Sequence, residues 1–318
     1  MKSKFVLAQV SSSGDVAANL EKAKKMMARA YEEHHPDVMV FPEVFMAHFP
    51  VGTPKETILA ACEPLDGPFV TGLREEAKKY GMWVICGMSE KVEDPSDPRK
   101  YNTTVVINSE GELVGSYRKT HLYDAFGYKE SDANKPGDKF FEPIDTPFGK
   151  IGLFVCYEVR FPEVARYQRS KGADIIIMPT AWIAGKLKSH HFQTLITARA
   201  IENTVYMLAC DLCDENCIGE SVVVDPMGVT IANAGEGEGL ISAVIDTDRI
   251  EAVRKKLPAY KDRRPELYTS DPRPSHKRKP FRKTSTNCLS CSTARKRRAF
   301  PAAAVSCRPR PSRAVRFA

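Results

Sequence analysis

Three reactive side chains close three short apolar runs: VMVFPE (38–43) finishes on Glu43, LVGSYRK (113–119) on Lys119 and IGLFVC (151–156) on Cys156. If those runs are strands of one α/β sheet system, a carboxylate, an ammonium and a thiol meet beyond the strands' carboxyl ends, where such sheets gather their sites. The set has a coherent chemistry. The thiolate is the working nucleophile, and a free cysteine of pKa ~8.5 is only slightly ionised at neutral pH. A neighbouring carboxylate that takes the thiol proton as attack occurs contributes roughly 10²–10⁴-fold. The ammonium then holds the thiolate and the oxyanion of a tetrahedral intermediate. The amide N–H of Tyr157 is a candidate second oxyanion donor, and one such donor is worth about 2.7–4 kcal/mol. Neither a metal nor a cofactor is required. Each residue also has a plainer reading: Cys156 as inert core, Glu43 as a solvated loop carboxylate, Lys119 as a surface charge beside Arg118. Their joint occurrence argues for a site, since burying such groups unpaired costs several kcal/mol.

The elements that must position these groups alternate. KFVLAQV (4–10), DVMVFPE (37–43), WVICG (83–87), KIGLFVC (150–156), DIIIMPT (174–180) and TVYMLAC (204–210) read as strands. YNTTVVINSEGELVGSYRK (101–119) reads as a hairpin turning at Ser109-Glu110-Gly111. ESVVVDPMG (220–228) and GLISAVID (239–246) complete about ten β-rich runs. Helical patterns cover 15–35, 67–82, 160–172 and 187–203, with a last helix from Thr247 to about Lys256. Alternation of this kind predicts an α/β fold, and so many strands suit two packed sheets with helices outside better than one doubly wound sheet.

Composition sets the limits. Of the 318 residues, 42% are hydrophobic and 27% charged, as in ordinary globular chains. The formal net charge of +7 comes from the end of the chain: residues 269–318 hold ten Arg and four Lys against Asp271 alone, a net of +13, which leaves −6 for residues 1–268. An acidic body argues against nucleic acid as the partner. The expected organisation is therefore a catalytic domain over 1–268 and a basic, Pro/Ser/Arg-rich tail over 269–318 that lacks the apolar content to order itself. HKRKP (276–280) and ARKRR (294–298) read as nuclear-localisation signals, as nucleic-acid contacts or as a solvated extension, and Cys288 and Cys291 form a C-x-x-C with no second pair for zinc. No apolar run approaches the roughly 20 residues of a membrane span. With no signal-peptide pattern, the expectation is a cytoplasmic protein whose nine cysteines stay reduced.

The motifs themselves resemble a known family. FPE (41–43), YRKTHL (117–122) and CYEVRFPE (156–163) are similar, in order, to the three signatures of the nitrilase, or carbon–nitrogen hydrolase, superfamily; PTAW (179–182), ARAIEN (198–203) and DPMG (225–228) resemble its further blocks. The resemblance covers about residues 4 to 260. It implies a four-layer α-β-β-α sandwich and a Glu–Lys–Cys triad, with Glu43 as general base, Lys119 as oxyanion stabiliser and Cys156 as nucleophile. It also implies a second glutamate between lysine and cysteine, for which Glu130 in YKESD is the match, and a homodimer or larger homo-oligomer.

For the substrate, CYEVRFPE looks more like the amidase branches, including omega-amidase and deaminated-glutathione amidase, than like true nitrilases, which usually carry Trp where Tyr157 stands. Those branches usually have Asp where this chain has Glu158. The expectation is a small-molecule primary amide of a carboxylic acid, cleaved through a thioester with release of ammonia. N-carbamoyl amino acid hydrolysis, nitrile hydrolysis and a catalytically silent scaffold are the alternatives. Arg160 suits a substrate carboxylate held in bidentate fashion or an ion pair with Glu163. Trp182 and Phe192 read as pocket wall or core. His190 and His191 read as solvated or substrate-contacting rather than metal-binding. His121 reads as a structural residue or a loop orienter, and Cys210, Cys213 and Cys217 as unligated thiols rather than a metal knuckle.

Overall fold

A computed structural model describes residues 1–268, and the basic tail expected over 269–318 lies outside them. By contacts the chain divides into Met1–Arg264 and Pro265–Ala318. In chain order the first unit runs β1 (Lys2–Gln9), α1 (Val16–His34), β2 (Val38–Val40), α2 (Lys55–Ala60), α3 (Pro68–Tyr80), β3 (Trp83–Lys91), β4 (Lys100–Ile107) and β5 (Leu113–Arg118). It continues with β6 (Ile144–Thr146), β7 (Gly149–Leu153), α4 (Pro162–Ser170), β8 (Ile175–Thr180), α5 (Lys188–Asn203), β9 (Tyr206–Asp211), β10 (Val222–Val224), β11 (Thr230–Asn233), β12 (Gly239–Asp246) and α6 (Thr247–Lys256). No described helix is long and apolar enough to cross a membrane.

The strands form two six-stranded sheets, ordered β12-β1-β2-β3-β4-β5 and β11-β10-β9-β8-β7-β6. Each has a parallel trio at its centre, β1-β2-β3 and β7-β8-β9, with antiparallel strands outside. The two-residue period of a strand decides what covers each face. Phe5 and Leu7 of β1 point into one apolar cluster with Val38, Val40 and Ile85, shared with Leu153, Ile177 and Leu208 of the other sheet. Val6 and Ala8 point the other way, into a second cluster with Ala23 and Met27 of α1 and Phe69 and Leu73 of α3. On the second sheet, α4 packs against β7 and α5 against β9 and β10, burying Val164, Phe192 and Ile196. The layers are therefore α-β-β-α, the four-layer sandwich expected.

Parallel strands place their carboxyl ends on one edge. Here β2, β7 and β8 deliver Glu43, Cys156 and Ala181-Trp182 just beyond their last residues. Two antiparallel steps, β3 to β4 and β4 to β5, turn β5 parallel to β3 again, so Lys119 emerges at the same edge and the start of β4 lies beside it. The strands stop earlier than the sequence suggests. β2 ends at Val40 and β7 at Leu153, each three residues short of the reactive group, and short β6, α2 and β11 carry no clear pattern of their own. A reactive side chain needs backbone that turns away from the ladder, and strand pairing cannot continue through such a turn.

Candidate functional site

Glu43 sits on a turn pressed against β3. Phe41 N–H donates to Ile85 O (2.8 Å), Gly87 N–H to Pro42 O (3.1 Å) and Met46 N–H to Gly87 O (3.2 Å). A Cβ at Gly87 would lie 2.5 Å from Pro42 O and 2.7 Å from Glu43 Cα, so only glycine lets this backbone close on the strand. Lys119 is fixed by its own N–H, which donates to Asn102 O (2.9 Å), and by its carbonyl, which accepts from Gly137 N–H (2.9 Å). Cys156 opens a 3₁₀ turn, Cys156–Arg160, in the left-handed region at φ 47°. Such a conformation is uncommon for a residue with a β-carbon and clusters at functional sites.

Glu158 ties that turn to the lysine segment. Its fully buried carboxylate accepts from Val155 N–H (2.8 Å), Tyr117 Oη (2.7 Å), Thr120 Oγ1 (2.6 Å) and Thr120 N–H (3.1 Å). Burial works to raise this carboxyl, but the hydrogen bonds from His121, Thr120, Val155 and Tyr117 outweigh it and hold it below the ordinary carboxylate range. His121 stacks on Phe161 with centroids 4.2 Å apart.

The reactive groups converge. Lys119 Nζ donates to Glu43 Oε1 (2.9 Å) and to Glu130 Oε2 (2.8 Å). Asn102 Nδ2 spans the same two carboxylates, at 2.7 Å from Glu43 Oε1 and 3.0 Å from Glu130 Oε1. Glu43 Oε2 accepts from Ala181 N–H (2.8 Å) and Glu130 Oε2 from Tyr123 N–H (2.7 Å). Glu43, Lys119, Glu130, Asn102 and Cys156 are all buried, and all line one cavity of about 210 Å³. Behind it, Asp211 Oδ1 accepts from Trp182 N–H (2.8 Å), and burial pushes that acid well above its ordinary pKa.

The electrostatics follow from burial and pairing. Burial works to lower the Lys119 ammonium, but the charges of Glu130 and Glu43 outweigh it and hold the group well above its ordinary value. Burial works to raise Glu130, and is outweighed by the Lys119 charge and the hydrogen bonds from Lys119, Tyr123 and Asn102. The Cys156 thiol moves far up, first through burial and then through the Glu43 charge, with Lys119 pulling the other way. At neutral pH the site therefore holds a thiol, an ammonium and the Glu130 carboxylate. Such a thiol attacks only if its proton is taken as the new bond forms, and Glu43 lines the same cavity as Cys156.

This geometry has relatives. The carbon–nitrogen hydrolase family profile matches residues 6–255. The chain belongs to the carbon–nitrogen hydrolase family. It is 37% identical over 247 residues to deaminated glutathione amidase from Escherichia coli O157:H7, covering 77% of this chain and 91% of that one. It is 35% identical over 285 residues to omega-amidase NIT3 from Saccharomyces cerevisiae, covering 84% and 95%. The crystal structure of Saccharomyces cerevisiae Nit3, a member of branch 10 of the nitrilase superfamily, superposes with a TM-score of 0.72 at 33% identity, covering 83% of this chain and 97% of that one.

Of the sequence-predicted contacts, Tyr157, Arg160 and Trp182 line the same cavity as Glu43, Lys119, Glu130 and Cys156. His191 does not: it lies one helical turn into α5 and its N–H donates to Leu187 O (2.9 Å). Phe192 packs on Trp182 from the core side, with centroids 5.4 Å apart. Arg160 makes no ion pair with Glu163 among the described residues; its Nε and Nη2 are buried without a hydrogen-bond partner. Cys217, weighed only against a metal, is a further part of the cavity wall. Asn102, Lys100, Tyr123 and Lys188 are wall residues that sequence reasoning missed. Asn102 had a signal, since asparagine is disfavoured inside a β-rich run.

Proposed function

We propose that this chain is a thiol amidase that cleaves the amide of a small carboxylic acid through a thioester on Cys156. The observation that carries the reading is the closed Glu43–Lys119–Glu130 cluster beside a buried thiol held at a left-handed φ. Cys156 Sγ attacks the amide carbonyl carbon while Glu43 takes the thiol proton. Lys119, with Tyr157 N–H, stabilises the oxyanion. Glu130 and Asn102 orient Lys119 and Glu43. As the tetrahedral intermediate collapses, the C–N bond breaks and Glu43 returns the proton to the leaving nitrogen, so a primary amide releases ammonia. Water, deprotonated by Glu43, then hydrolyses the thioester to the free acid and restores the thiol. Arg160, with two buried N–H-bearing nitrogens unpartnered, holds the carboxylate at the far end of the acyl group. The amidase names of the relatives in E. coli and yeast support the same reading. A working thiol favours a reducing compartment, which supports a cytoplasmic setting, and homo-oligomerisation belongs to the same proposal.

The test is ammonia release from alpha-ketoglutaramate, deaminated glutathione, an N-carbamoyl amino acid, an aliphatic amide and a nitrile, with free-amine detection for deaminated glutathione. Wild type and Cys156→Ala run side by side. Turnover of an amide bearing a carboxylate, lost in the variant, is the expected result. Turnover that survives in Cys156→Ala, or none from any compound by folded protein, would overturn the reading.

A further inference from the structure

Charge is balanced in one half of the cavity and not in the other. The half that holds the chemistry has two carboxylates, Glu43 and Glu130, and two ammoniums, Lys119 and Lys100. Lys100 precedes Asn102 by two on β4 and so shares its face of the sheet; both acids act on its charge. The other half, walled by Trp182, Tyr123 and Tyr157 around two cations, with the exposed Phe126 ring outside the wall, has no such balance. Lys188, the first residue of α5, is only 6% exposed, yet its Nζ finds just the neutral Tyr123 Oη (3.2 Å) and the rings of Phe126 (4.8 Å), Trp182 (4.9 Å) and Tyr123 (5.0 Å). The Arg160 guanidinium stands 4.9 Å from the same Trp182 ring and 5.8 Å from the same Phe126 ring. Sharing the Trp182 ring puts the two charges at most about 10 Å apart. No carboxylate among the described residues makes an ion pair with either. Burial, and after it the charge of Arg160, pushes the Lys188 ammonium down.

A single carboxylate satisfies a guanidinium in bidentate fashion and leaves the second cation uncompensated. We propose that Lys188 is a binding and specificity residue, that with Arg160 it forms a two-cation clamp, and that the acyl end of the substrate carries two carboxylates. The proposal rests on the amidase reading of the same site, and its test separates the two. Aromatic walls fit it as well: the rings that now face the cations also exclude water from the ion pairs that a bound dicarboxylate would make, which strengthens them.

The experiment compares three primary amides of graded charge: butyramide, succinamate, and the 1-monoamide of propane-1,2,3-tricarboxylate. Wild type is expected to prefer the dicarboxylate amide over succinamate by about tenfold or more in kcat/KM, the scale of one added charged hydrogen bond. Lys188→Met should lower kcat/KM for that compound at least tenfold more than for butyramide, and Lys188→Arg should restore most of the preference. In parallel, calorimetry on Cys156→Ala measures binding of the three product acids, in the order tricarboxylate, succinate, butyrate. The binding order without turnover by wild type would uphold the clamp and contradict the amidase. Turnover by wild type with no preference for the dicarboxylate amide would overturn the clamp and leave the amidase standing. Equal losses on all three amides in Lys188→Met would also overturn it, marking Lys188 as a structural residue.

Discussion

The two halves of the cavity are built on opposite principles. Around Glu43, Lys119, Glu130 and Asn102, each carboxylate oxygen has a donor and the ammonium has two acceptors, all out of water. Around Arg160 and Lys188, cations are buried against aromatic rings without a countercharge. The first half pairs its charged groups internally, with Asn102 Oδ1 the one atom of the four side chains buried without a partner, so folding alone fixes its geometry before any substrate arrives. The second half is left for a ligand to complete. Catalytic groups gain from fixed position, whereas a recognition site gains by leaving its strongest donors unpaired until the right anion enters.

Breaking the closed half should have the largest effect. Lys119→Met leaves two buried carboxylates without their cation, so turnover should fall by at least about 10²-fold. Unfolding free energy should drop by about 3–5 kcal/mol, read by urea denaturation. Breaking the open half should look different. Arg160→Ala is expected to raise KM for a carboxylate-bearing amide by about 10–100-fold, with little loss of stability, since no internal partner is stranded; steady-state kinetics beside a melting curve would show both. Asn102→Ala removes one neutral bridge from the closed half and should cost about 1–3 kcal/mol, with a smaller fall in turnover than Lys119→Met.

The smallest effect is a matter of pH. Glu130 and Glu158 are held below the ordinary carboxylate range, the unfolded value being about 4.3. Their stabilisation is complete above that pH and is lost as pH falls through their folded values. Glu130→Gln should therefore show a shallower decline in melting temperature between about pH 6 and 3 than wild type. A decline as steep as wild type's would place the acid sensitivity elsewhere.

The closed half was largely legible in the sequence. Glu43, Lys119 and Cys156 each follow an apolar run, and strand ends are where such residues converge. Glu130 was legible only through family resemblance, because it reaches Lys119 from a loop whose path no local pattern encodes. Asn102 lies in the first arm of the hairpin over 101–119, where one asparagine among β-branched residues marks no partner. The open half was legible at Arg160 and Trp182, which sit in recognisable motifs, but not at Lys188. Nothing in GKLKSHH (185–191) distinguishes one lysine from its neighbours, and only the packing of α5 against Trp182 buries Lys188 while leaving Lys186 exposed. His191 shows the converse: one helical turn carries an expected contact off the cavity wall. The fold class follows from alternation, whereas the strand pattern runs three residues past the true ends of β2 and β7 because apolar residues continue into the turns that follow.

The central claim is that the reaction passes through a thioester on Cys156. Wild-type protein quenched in acid during turnover of a hydrolysed amide, then digested and weighed, tests it most directly. A mass increase equal to the acyl group, confined to the peptide containing Cys156 and absent in Cys156→Ser, is the predicted result. Turnover with no acylated peptide under conditions that slow deacylation, or acylation at Cys217 instead, would contradict it.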